Sequence, residues 1–163
     1  MLFTDTYVSP IGNITFLSDS DNLLGLWLEG QKHFGGKFDI GSAEQAEAEP
    51  IRLAKIWLEE YFKGKAPDFT PPIKIKGSPF LQSVCSVLAQ IPFGQTVTYG
   101  TLAKIVFGND KRPSARAIGS AVGKNPVSII VPCHRVVAKG KKLGGYDGGI
   151  DKKEWLLRLE GAL

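Results

Sequence analysis

Sulfur and imidazole are scarce in this chain: its 163 residues include two cysteines, two histidines and one methionine. Two cysteines cannot build a disulfide scaffold, and cysteine and histidine together fall short of what separate structural zinc sites demand. Long apolar runs are missing too. Ile129-Ile130-Val131 meets Pro132 at once, and no run approaches the ~18 residues of a membrane helix. The first twenty residues carry Asp5 and Asp19 and no basic stretch, so no signal peptide is read there and no membrane is expected. The expected setting is the reducing cytoplasm. What remains is an ordinary globular composition, 43% hydrophobic and 22% charged, long enough to bury a core.

Acidic residues are scarce in one half only. Residues 1–76 hold 8 Lys+Arg against 11 Asp+Glu, a net of −3; residues 77–163 hold 12 against 5, a net of +7. A basic half points to a polyanion such as nucleic acid, although a solvated basic face would look the same.

The patterning changes at the same place. Segments 2–7, 11–18 and 23–29 alternate and are punctuated by Pro10, Gly12 and Ser18-Asp19-Ser20-Asp21-Asn22, which predicts a β-meander. Residues 30–41 read as a loop anchored by Phe34 and Phe38. Pro50 suits a first helical turn, Ile51, Ala54, Leu58 and Tyr61 recur at helical spacing, and Gly64 stops the helix. Four prolines in 64–78 mark a linker with one short strand at 73–76. The expected division is therefore 1–76, a small antiparallel sheet with a helix and the linker, and 77–163.

The second unit reads as mostly helical. Ser78 caps 79–90, Thr98 caps 99–107, and 114–123 is a third helix of very small residues with Arg116 its single long side chain. Two short helices, the second presenting an arginine, make a helix-turn-helix pattern, and close packing through Gly119 and Ala121 explains the small residues equally well. An extended run at 127–131 leads to Pro132-Cys133-His134-Arg135. Residues 136–138 and Leu143 flank Lys139-Gly140-Lys141-Lys142 as a hairpin or wing. Asp151 and Glu154 form a capping-box pattern for a last helix ending at Glu160-Gly161.

Cys133 stands beside a histidine and an arginine, the surroundings a thiol needs to act as a thiolate. Cys85, among Val84, Val87 and Leu88, reads as a buried small hydrophobe. Neighbours in an extended segment point to opposite sides, so Cys133 and His134 need a turn or a bridging water to exchange a proton. A histidine base also needs an acceptor on its other nitrogen. Glu160, Asp110, Asp147, Asp151 and Glu154 are the acidic candidates in this half.

Val131-Pro132-Cys133-His134-Arg135-Val136-Val137, preceded by Gly123-Lys124-Asn125-Pro126, resembles the active-site signature of the O6-alkylguanine-DNA alkyltransferases. The resemblance extends over Ile91-Pro92-Phe93-Gly94, Thr98-Tyr99-Gly100, Ala115-Arg116-Ala117-Ile118-Gly119, Gly145-Tyr146, Gly148-Gly149 and Lys153-Glu154-Trp155-Leu156-Leu157. It reaches the first half through Glu60-Tyr61-Phe62-Lys63-Gly64. It implies an α+β protein, with a ribonuclease H-like sheet and helix followed by a winged helix-turn-helix domain. The implied reaction is stoichiometric transfer of the alkyl group of O6-alkylguanine to Cys133, after the base leaves the stack, with a single turnover and no cofactor or metal.

The roles implied run along the second half. His134 takes the thiol proton through a water, Glu160 holds the imidazole, Asn125 braces the turn, and Tyr99 crowds the target phosphate and protonates guanine N3. Ser114, Ala115, Arg116, Gly119, Lys124 and Arg135 are implied contacts to double-stranded DNA through its minor groove, with Lys104, Lys111 and Arg112 on phosphates. Val131, Pro132, Tyr146 and Asp147 are implied to shape the base and alkyl pocket. A monomer is implied, with cooperativity on DNA left open.

Three features depart from the family. The turn 108–113 is longer. Asp147 replaces a small or neutral residue, and its charge would slow reaction or alter substrate choice unless the carboxylate turns to Arg135 or to solvent. Some members hold zinc in the first domain, whereas His33 is the one plausible ligand in this half. Two other classes compete: a binder of alkylated guanine that transfers nothing, and a small cysteine hydrolase or thiol redox protein, which needs turnover or a partner thiol.

Overall fold

A computed structural model describes residues 1–108, 114–140 and 142–163. The opening meander forms as the alternation predicts. Strands β1 (Phe3–Ser9), β2 (Gly12–Ser18) and β3 (Leu23–Leu28) pair antiparallel in turn. A two-residue strand, β4 (Glu44–Gln45), adds parallel to β1, giving the order β3-β2-β1-β4. So short a strand has no period to read. Loop 30–41 closes a small cluster of Leu17, Leu24 and Trp27, with Phe34 and Phe38 rings 6.0 and 6.3 Å from the Trp27 ring. Gly25 makes room for that indole, since a β-carbon there would lie 2.0 Å from it.

Helix α1 (Glu49–Phe62) starts on Pro50, stops before Gly64 at φ +84°, and lays Ile51, Ala54, Leu58 and Tyr61 into the core. In the second half α2 (Pro79–Leu88) is capped by Ser78, whose hydroxyl accepts from Leu81 N at 3.1 Å. Strand β5 (Val97–Thr98) runs into α3 (Tyr99–Phe107), capped by Thr98. Helix α4 (Ala115–Gly123), capped by Ser114, packs Ile118, Ala121 and Val122 onto α2 and α3. A 3-10 turn at Cys133–Arg135 leads into β6 (Val136–Val137), parallel to β5, and α5 (Ile150–Leu159) follows. Ala138 N donates to Lys142 O at 3.0 Å across the expected wing. The longer turn, with Asp110, Lys111 and Arg112, lies outside the described residues, as does Lys141.

One apolar core runs from Ile14 and Phe16 in the sheet through Tyr61, Val84 and Ile118 to Leu156. It holds the two halves together around β3. Leu26 N donates to Pro126 O and Leu26 O accepts from Ser128 N, so the chain entering the Cys133 turn is pinned to the edge of the sheet. Among the described residues no helix is long and apolar enough to cross a membrane.

Three local expectations are corrected. Residues 127–131 are not an extended run but a bridge at Val127 followed by turns, with Val131 N bonded to Val127 O and Ile129 at φ +69°. Apolar residues in sequence mark burial there, and a buried turn reads the same as a buried strand. The strand at 73–76 reduces to one bridge between Ile73 and Leu23. The capping box fails because α5 starts at Ile150 after Gly149, leaving Asp151 inside the first turn with no cap bond.

Candidate active site and nucleic-acid face

The turn that carries Cys133 is built by Asn125. Its Oδ1 accepts from Val127 N at 3.0 Å and its Nδ2 donates to Val131 O at 2.8 Å, so one buried side chain closes the loop 125–131. That closure holds the β-branched Ile129 in the left-handed region, which costs on the order of 1–3 kcal/mol. The 3-10 turn then places Cys133, His134 and Arg135 on a tight curve, all buried, rather than on alternate sides of a strand.

His134 is fully buried, and its Nε2 lies 2.6 Å from Glu160 Oε2. A carboxylate only accepts, so the Nε2 proton is donated to Glu160 and Nδ1 is left as an acceptor. Nδ1 finds no hydrogen-bond partner among the described residues. Glu160 accepts further from Tyr61 Oη at 2.6 Å, Arg135 Nε at 2.8 Å and Nη2 at 3.1 Å, and Gly94 N at 3.0 Å. Of the five acidic candidates, Glu160 is the one on the imidazole.

Burial would push the Glu160 carboxyl up, but hydrogen bonds from His134 and Arg135 bring it down to about 2. Burial likewise depresses His134 below the ordinary imidazole value, opposed by Glu160 and aided by the charges of Arg135 and Lys153. His134 therefore rests neutral. Burial raises the Cys133 thiol, opposed by Asn125 and the Lys153 charge, so the nucleophile rests protonated and must lose its proton as it reacts. Cys85 is pushed up to about 12 by burial and by Cys133, which makes it inert.

Above the thiol lies a cavity of about 560 Å³, in the range of small-ligand sites, bounded by Tyr99, Gly119, Gly123, Tyr146, Asp147 and His33. Val131 and Pro132 are buried beneath it in the Cys133 turn. Burial and the neighbouring Cys133 raise the Tyr146 hydroxyl well above the usual phenol. Tyr99 Oη donates to Gly145 O at 3.3 Å, joining α3 to the glycine-rich loop.

Asp147 turns neither to Arg135 nor to solvent. Its Oδ1 lies 2.6 Å from His33 Nδ1 and its Oδ2 accepts from His33 N at 2.9 Å. Among the described residues no three of His, Cys, Asp and Glu cluster as metal ligands, and His33 spends its ring on Asp147. Arg135, expected on DNA, is also corrected. It is 7% exposed, held by Glu160 and by Nη1 to Ile91 O at 2.6 Å, because a buried carboxylate in the second half needs a cation.

The outer face of α4 carries the other expected DNA contacts. Ser114, Ala115 and Arg116 are exposed, Lys124 is exposed at its end, and nothing lies within 4 Å of a β-carbon built on Gly119. Lys104 on α3 is exposed as well. A narrow, open helix face with one long cation can approach a nucleic acid closely.

Three residues at the site were not foreseen. Lys153 is fully buried, with Nζ donating to Val136 O at 2.6 Å and Gly145 O at 3.0 Å; burial lowers it to about 8, opposed by Cys133. Its place three and four residues before Leu156 and Leu157, on the apolar side of α5, was the available signal. Tyr61 reaches the site from α1, and His33 from loop 30–41.

The 6-O-methylguanine DNA methyltransferase ribonuclease-like domain matches residues 2–75, and the DNA binding domain of the same family matches residues 79–162. The chain is 40% identical over 157 residues to the methylated-DNA–protein-cysteine methyltransferase of Methanosarcina acetivorans, covering 96% of each. It is 36% identical over 160 residues to that of Haemophilus influenzae, covering 98% of this chain and 86% of the relative. The crystal structure of Mycobacterium tuberculosis OGT in complex with DNA superposes with a TM-score of 0.85 at 35% identity, over 98% of this chain and 93% of that one.

Proposed function

The chain belongs to the 6-O-methylguanine DNA methyltransferase family, and on that premise we propose that Cys133 is the residue that takes the alkyl group. The protein repairs DNA by alkyl transfer to a cysteine, the activity of a methylated-DNA–protein-cysteine methyltransferase. The observation that carries the assignment is the buried pairing of His134 with Glu160, which leaves His134 Nδ1 as an unpartnered acceptor one residue from Cys133.

In the proposed reaction the Cys133 proton passes to His134 Nδ1 through a water, and Sγ attacks the alkyl carbon. The S–C bond forms as the C–O6 bond breaks, its electron pair stays with the guanine, and Tyr99 supplies a proton at N3. The products are S-alkylcysteine and guanine. A thioether is stable and no group here hydrolyses it, so each protein reacts once. Asn125 keeps the turn in shape while Glu160 keeps the imidazole in the required tautomer.

The target atom is buried in a duplex, so the base must leave the stack at a cost of a few kcal/mol. Helix α4 lies in the minor groove in this reading. Arg116 fills the gap left by the base while Ser114, Ala115 and Gly119 let the helix approach, and Lys104 and Lys124 meet phosphates. The base enters the cavity walled by Tyr146, and the Asp147 backbone N–H meets O6. Residues 1–76 brace the site and 77–163 bind DNA and accept the group, as a monomer.

Mass spectrometry after reaction with an O6-methylguanine duplex tests this. Trypsin releases 125–135, which contains Cys133 but not Cys85. A gain of one methyl on that peptide, saturating at one per protein, is expected. Tight binding with no gain makes the protein a damage sensor, and repeated turnover makes it a hydrolase.

A further inference from the structure

The loop 144–149 walls the cavity with Tyr146 yet holds four glycines, two of them, Gly144 and Gly149, at φ +75° and +108°. Such a loop has little intrinsic shape and takes its position from its anchors. Within the second half it is tied by Lys153 Nζ and Tyr99 Oη, both on Gly145 O. Its far side is fixed wholly by the first half. Lys32 N donates to Asp147 O at 3.1 Å, and His33 takes both carboxylate oxygens of Asp147, one through its backbone N–H and one through its ring. Gly148 presses on β3 so closely that a β-carbon would lie 2.8 Å from Leu28 Cδ1.

We propose that His33 is a positioning residue for alkyl transfer, holding Asp147 so that Tyr146 walls the pocket over Cys133. The first half is then part of the transfer machinery rather than a scaffold beside it. Asp147, 7% exposed and engaged on both oxygens, faces the first half instead of presenting a free carboxylate to guanine O6. Neutral His33 suffices, because its Nδ1–H alone satisfies the carboxylate. The proposal rests on Cys133 as acceptor, and wild-type protein checks that first: no methyl on 125–135 defeats that reading before any His33 variant is made.

Single-turnover transfer from the methylated duplex, read as the limiting rate and the half-saturating duplex concentration, tests the positioning role. His33→Ala and Asp147→Ala are each expected to slow the limiting rate about ten- to a hundredfold, as misplaced groups do. Half-saturation should stay within about twofold of wild type. The double variant should be no slower than the slower single, because both remove one contact. His33→Asn, whose amide can donate from the place of Nδ1, should recover most of the rate. Should His33→Ala fail to fold, Asp147→Asn carries the test: it keeps one acceptor for the ring, so its rate should lie between wild type and Asp147→Ala. Unchanged limiting rates, a loss confined to half-saturation, additive losses in the double variant, or an Asn variant as slow as Ala would each overturn the proposal.

Discussion

Replacing Glu160 with glutamine tests the centre of the site most sharply, because it changes charge with almost no change in shape. The carboxylate side chain has no exposure and accepts five hydrogen bonds, from Tyr61, His134, Gly94 and twice from Arg135. A glutamine amide must aim its NH2 either at Arg135 Nε and Gly94 N, or at the donors on the other oxygen. Donor meets donor in both orientations. Arg135 is left as a buried cation without its counter-ion, and removing one member of such a pair costs about 3–5 kcal/mol, a large part of the ~5–15 kcal/mol that holds a domain folded. His134 loses the acceptor that fixes its tautomer, and transfer should fall by about 10²–10⁴, the span of general base catalysis.

Urea denaturation and single-turnover transfer read the two effects separately. Combining Glu160→Leu with Arg135→Met removes both charges, so stability should recover most of the loss while transfer stays low. A Glu160→Gln protein within about 1 kcal/mol of wild type would refute the ion-pair reasoning, since it would lie below the cost of one unsatisfied buried group. A double variant no more stable than the single would refute it too. Normal transfer in either protein would remove Glu160 from the proton path.

Arg116→Ala should slow repair of duplex DNA far more than reaction with free O6-benzylguanine, and equal losses on both substrates would make Arg116 structural. Transfer should hold steady as pH falls to the ordinary imidazole value near 6.5 and drop only below it, because burial depresses His134; a fall centred above that value would exclude it as the base. The Glu160 carboxyl is depressed in the folded state from 4.5 to about 2, so its contribution to stability is complete above 4.5 and is lost as pH falls toward 2, which acid titration of unfolding would register. Cys85 should stay unmodified on its tryptic peptide 77–104 under alkylating conditions that modify Cys133, given a thiol pushed up to about 12.

The elements with a clear period and caps were legible in the sequence: the meander, α1 between Pro50 and Gly64, and the three helices opened by Ser78, Thr98 and Ser114. Short pieces were not, because β4 is held by two pairings to β1 and the Cys133 turn by one asparagine side chain, neither of which leaves a local pattern. The site divides the same way. Cys133, His134 and Asn125 sit in one contiguous motif, and Glu160 was one of five candidates until geometry chose it. Lys153 and Glu160 lie seven residues apart with Leu156 and Leu157 between them, so two charges share the buried face of α5. A charge on an apolar face must be paired or put to use, and here one stabilises a thiolate while the other orients its base. That pattern was visible in the sequence. Tyr61 and His33 are different, since each looks like an ordinary core or loop residue until the fold carries its polar end to the site across 99 and 114 residues. Contacts of that span exist only in the folded chain, which is why the first half looked inert in sequence although it supplies donors to both carboxylates that shape the site.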